Sequence, residues 1–140
     1  MNITPSALAN TVLLGCLALS GHAMAACTGP AINQAALTAA VSGKTVCAAR
    51  TPDRWQEYHR VGGDLIDYKL GPANTIDPSE KVGTWSITAN ANGNNANVVY
   101  NYGAGGTFSY SVRSNGGASY SFCGAQNFEV TIQSGQGACP

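Results

Sequence analysis

The sequence predicts a mainly β fold: an antiparallel up-and-down meander of about eight strands closing into a small barrel, with one N-terminal helix. Three observations carry this. Large apolar and small polar side chains alternate with a period of two through the second half of the chain. Turn signals rich in glycine and asparagine separate the alternating runs. Convincing helical spacing occurs between residues 30 and 42 and nowhere else.

In chain order, residues 11–20 (TVLLGCLALS) form an apolar run too short to span a bilayer, and Ala23-Met24-Ala25 supplies an A-x-A cleavage pattern. Residues 1–25 are therefore expected to be a signal peptide, 26–43 a helical segment and 44–140 the barrel. The leader carries no Lys or Arg, a departure from the usual basic start. The sequences ending at Cys16 and Cys27 also resemble a lipobox in part, so lipid anchoring at Cys27 is the minor alternative to a secreted or periplasmic protein. In the helix, Thr28 is the expected cap, Pro30 suits a first turn and Gly43 is the stop. Its apolar stripe is thin and needs a surface to lie on.

Strands are expected near 44–49, 54–59, 64–70, 82–89, 97–102, 107–113, 118–123 and 127–133. In the last five, one face carries Trp85, Ile87 and Ala89; Val98, Tyr100 and Tyr102; Phe108, Tyr110 and Val112; Tyr120 and Phe122; Phe128, Val130 and Ile132. The Asn-rich stretch from Asn90 to Asn97 reads as a hairpin turn. Gly103 to Gly106 joins two strands and opens no helix, so it reads as a turn and not a phosphate loop.

Charge narrows the partners. Seven basic and seven acidic residues give no net charge, and only 10% of residues are charged. No basic patch offers itself to a phosphate backbone, so nucleic acid is not an expected partner. With Cys16 removed, Cys27, Cys47, Cys123 and Cys139 form an even set that suits oxidising surroundings. Two disulfides are expected. All three pairings are open, with Cys27–Cys47 and Cys123–Cys139 favoured because each closes a short loop. No C-x-x-C spacing supports zinc.

The most chemically loaded stretch is WQEYHRVGGDLIDYKLG, residues 55–71. It reads as a hairpin turning at Val61-Gly62-Gly63. Tyr58 is expected to face the core beside Ile66, Tyr68 and Leu70, which puts Glu57, His59, Asp67 and Lys69 on the solvent face. Trp55 is the misfit on that polar face. The competing reading is a polar site of Glu57, His59 and Asp67. One histidine and two carboxylates on a flat strand pair make a weak, open metal site. No local signature marks a nucleophile beside His59. The expectation is no catalysis, no metal and no cofactor.

Gly83-Thr84-Trp85 at a strand start resembles the G-x-W of lipocalin-like and avidin-like barrels. With the late Phe122-Cys123-Gly124, the chain is similar to small secreted proteobacterial proteins of that kind. The match covers a few residues, and G-x-W follows three strands here where lipocalins carry it on the first. The resemblance implies a lipocalin-like barrel more than a function.

Too many tyrosine hydroxyls share the inferred inward face for a dry core. The leading expectation is a pocket at the barrel mouth, with Trp85, Tyr100, Phe108 and Tyr110 around a small apolar or aromatic ligand, and the competing reading is a plain aromatic core. The expected function is a non-enzymatic exported binding protein. The alternatives are an inhibitor of an exported hydrolase, acting through loops such as Gly71 to Lys81, and a surface or structural protein.

Overall fold

The computed structural model describes residues 27–50, 53–67, 80–137 and 139–140. Eight strands follow one another around a closed antiparallel barrel in chain order. They are β1 (Lys44–Arg50), β2 (Asp53–His59), β3 (Asp64–Asp67), β4 (Glu80–Thr88), β5 (Asn97–Asn101), β6 (Thr107–Gly116), β7 (Ser119–Cys123) and β8 (Asn127–Ser134). Closure is made by β1 against β8, with Val46 opposite Ile132. It leaves no unpaired edge, which is what a meander of this length gains by closing. The expected leader and the positions from 68 to 79 lie outside the described residues.

The helix α1 (Gln34–Val41) is shorter than the spacing predicts. Asn33 caps it by accepting from the Ala36 N–H at 2.9 Å, in place of Thr28. The segment before it pairs with the barrel instead: the Ile32 N–H donates to the Val112 carbonyl and the Gln34 N–H to the Gly93 carbonyl. The stripe finds its surface across one end of the barrel. Leu37 and Val41 are fully buried there with Val46, Val98 and Val112. Burying two such side chains stabilises by roughly 1.5–3 kcal/mol each. The helix thus closes one end, and the opposite end carries the β5–β6 and β7–β8 connections.

Asn90 shapes the expected hairpin turn, its side-chain oxygen accepting from the N–H groups of Asn92 and Asn94. Gly83 of the G-x-W triplet sits on β4, where a Cβ would run into the Asn101 carbonyl.

Two expectations are corrected. The disulfides join Cys27 to Cys123 and Cys47 to Cys139. Cys47 and its cross-strand partner Gln56 face outward, and the C-terminal tail lies over both. The Cys139 N–H donates to Gln56 Oε1 at 2.7 Å, so Gln56 is buried although it points away from the barrel axis. The Cys27 bond also occupies the sulfur that a lipid anchor would need.

The second correction concerns β2. Its register places Glu57 opposite Val46 and Asp67, and His59 opposite Leu65. Trp55, Glu57 and His59 therefore point into the barrel. Glu57 is 3% exposed and His59 is fully buried. Tyr58 and Ile66 share the outer face; Tyr68, Lys69 and Leu70 lie outside the described residues. Putting Trp55 inside removes the misfit at the cost of burying a carboxyl and an imidazole.

Candidate functional site: an aromatic mouth over a buried carboxyl

The open end holds a cleft of about 250 Å³, lined mainly by Trp55, Tyr100, Tyr102, Phe108, Tyr110 and Phe128, with Ala48 and Gln126 at its edges. Alternation on β5, β6 and β8 aims these rings inward. They touch in a chain. Ring centroids are 5.5 Å apart for Trp55 and Tyr100, 6.0 Å for Tyr100 and Tyr110, and 5.6 Å for Tyr110 and Phe128. Tyr102 and Phe108 meet at 5.9 Å. These are edge and tilted contacts of the kind aromatic pairs favour. Tyr100 is fully buried at the floor, whereas Phe108 is 44% exposed at the rim. Gly124 leaves room for this packing, since a Cβ there would stand 2.6 Å from the Ser109 carbonyl oxygen and 2.8 Å from the Tyr110 ring.

Beneath the rings lies a polar layer. The Tyr102 hydroxyl donates to the Glu57 carboxyl, 2.8 Å from one oxygen and 2.9 Å from the other. Burial pushes the Glu57 carboxyl up to about 7, against the lowering effect of hydrogen bonds from Trp55 and Tyr102; Asp67 across the strand pair adds to the rise. Burial lowers His59 to about 4, partly offset by the carbonyls of Glu57 and Lys44. Its imidazole is therefore neutral at physiological pH. Nδ1 lies 3.1 Å from the Glu57 carbonyl, which only accepts, so Nδ1 carries the proton. Nε2 then accepts from the Tyr100 hydroxyl at 2.9 Å. Burial, followed by the nearby Glu57 charge, raises both Tyr100 and Tyr102 and keeps them as donors. No buried side-chain nitrogen or oxygen among the described residues lacks a partner.

Of the residues expected around the ligand, Tyr100, Phe108 and Tyr110 line the cleft. Trp85 does not. Its indole N–H donates to the Arg60 carbonyl in the β2–β3 turn, and its ring packs 5.3 Å from His59. Trp55 takes the place given to Trp85. Of the polar trio, Glu57 and His59 are buried inside the barrel, with Glu57 bonded to the cleft wall through Tyr102, while the half-buried Asp67 stands across the strand pair from Glu57. Among the described residues, no three His, Cys, Asp or Glu side chains stand together as metal ligands would. Sequence reasoning also missed Tyr102 and Phe128 as cleft residues, although both sit on the alternating inward face it identified. The loop from Gly71 to Lys81, named for an inhibitor role, lies outside the described residues as far as position 79; Glu80 and Lys81 begin β4.

Among the described residues, fold and site define a small disulfide-stapled antiparallel barrel, covered by a helix at one end and carrying an aromatic cleft at the other. No helix among the described residues is long and apolar enough to cross a membrane. Comparison with protein-family models, curated proteins and solved structures finds no significant match to this chain.

Proposed function

We propose that this chain is an exported, non-enzymatic binding protein that holds a small apolar or aromatic ligand in the barrel mouth. The observation that carries the reading is the cleft itself: six converging aromatic side chains around about 250 Å³, with Phe108 left 44% exposed at the rim. Small-ligand sites have this make-up, apolar walls with a few placed polar groups. The volume lies just below the usual range for such sites, which suits a ligand of one or two rings. Two disulfides favour an oxidising compartment. The neutral His59 spends both ring nitrogens on internal hydrogen bonds, which supports a structural role over a catalytic one.

The two tryptophans make the test simple. In a Trp85→Phe variant only Trp55 reports, and saturating toluene should shield it from acrylamide quenching. In a Trp55→Phe variant toluene should leave Trp85 quenching unchanged. Equal acrylamide access to Trp55 with and without toluene overturns the reading.

A further inference from the structure

We infer that the mouth is built for a cation: a small ligand bearing a substituted ammonium group, held against the ring faces with the Glu57 carboxylate behind them. This rests on the mouth being a ligand site and names the chemistry it selects.

Two independent features point the same way. The first is the wall. Trp55, Tyr100, Tyr102, Phe108, Tyr110 and Phe128 surround one small volume. Each ring presents a negative face, and a cation within about 6 Å of several such centroids is attracted by all of them. A neutral hydrocarbon gains contact area there but nothing from the quadrupoles.

The second is the charge beneath the wall. Glu57 is 3% exposed, and among the described residues no Lys or Arg is one of the groups that act on it; its oxygens are met by Tyr102 and Trp55. Asp67, its partner across β2 and β3, adds negative potential. Nor do the residues lining the cleft include a Lys or Arg among those described. Two of the described cations are engaged elsewhere, Arg60 and Lys81 both pairing with Asp64. A buried anion without a cation beside it is costly. A cation seated one ring-thickness away lowers that cost, and an anion raises it. With its carboxyl held near 7, Glu57 is mostly ionised at pH 8, where the preference is strongest.

The test uses the full exported protein at pH 8 and two ligands of nearly the same shape, phenyltrimethylammonium and the neutral tert-butylbenzene. Binding is followed by the Trp55 indole N–H in NMR titrations. The cation should bind roughly tenfold more tightly. Glu57→Gln, which keeps an acceptor for Tyr102, should shrink that ratio severalfold. Equal affinities in the wild-type protein overturn the cation inference while leaving the apolar mouth in place. Failure of both ligands to bind overturns the mouth as well. A preference that survives Glu57→Gln intact overturns the part given to the carboxylate. Where that variant does not fold, the wild-type ratio decides, and Tyr102→Phe, which keeps the ring and frees the carboxylate, replaces it as the second variant.

Discussion

The Tyr102 hydroxyl stands 2.8 and 2.9 Å from the two oxygens of Glu57, tying the aromatic rim of the barrel to a carboxyl buried inside it. A hydrogen bond to a charged acceptor is worth about 1.5–3 kcal/mol, and one to a neutral acceptor about 1. Tyr102→Phe should therefore cost about 2 kcal/mol at pH 8, where Glu57 is mostly ionised, and about 1 kcal/mol at pH 5, where it is protonated. Urea unfolding at the two pH values checks this. A pH-independent cost would mean that the bond does not favour the ionised form.

Glu57 and His59 titrate in opposite senses, and their effects on stability should cancel over a defined window. Glu57 is raised from 4.5 to about 7, so its contribution is fully present below 4.5 and lost as pH rises through 7. His59 is lowered from 6.5 to about 4, so its contribution is fully present above 6.5 and lost as pH falls through 4. Between 4.5 and 6.5 the folded chain holds a proton on Glu57 and the unfolded chain holds one on His59. The counts match and the slope from this pair is zero. Asp64 is shifted below 3.8 and titrates outside the window.

Single substitutions should expose each slope. In Glu57→Gln, stability should rise from pH 4.5 to 6.5; in His59→Gln, it should fall from pH 4.5 to 7. Each slope approaches about 1.4 kcal/mol per pH unit, or about 3 kcal/mol across the range. Denaturation midpoints at half-unit steps measure it. Parallel curves for wild type and both variants would show that neither group is shifted.

The strands were legible because period-two alternation reports the pleat directly, and in the last five strands it also named the inward face. β2 misled for the same reason. Trp55 lies on one parity and Tyr58 on the other, so the pattern offers an aromatic whichever face turns in. What decides is remote in sequence: the C-terminal tail covers Gln56 on the outside, which frees the Trp55 parity to face in. The disulfide pairing failed likewise, because the short-loop argument ignores where the chain ends lie once the barrel closes. Trp85 was misassigned because alternation gives the face of a residue but not its depth along the barrel axis.

The two disulfides span 96 and 92 residues of sequence. Loops of that size restrict the unfolded chain by about 4–5 kcal/mol each in the chain-entropy account. Removing Cys47 and Cys139 together should cost about 4 kcal/mol and loosen the tail over Gln56. Peptide mapping of the unreduced protein should recover Cys27 with Cys123 and Cys47 with Cys139. A peptide linking Cys27 to Cys47 would contradict the barrel's staples directly.

Stability and binding should separate along the barrel axis. Leu37 is fully buried at the helix-closed end, and Leu37→Ala should cost about 2–5 kcal/mol through lost burial and a residual cavity. It is not among the residues that line the cleft, so ligand affinity in the folded fraction should not change. Phe108 is the converse case. Nearly half exposed, it has little burial to lose, and Phe108→Ala should cost less than about 1 kcal/mol. Yet its ring walls the cleft beside Tyr102. Phenyltrimethylammonium affinity should fall roughly tenfold, the size of one ring contact with a desolvated cation. Unfolding and titration on the same two variants give the comparison. A large stability loss from Phe108→Ala would make that residue a packing element instead of a wall held open for a ligand.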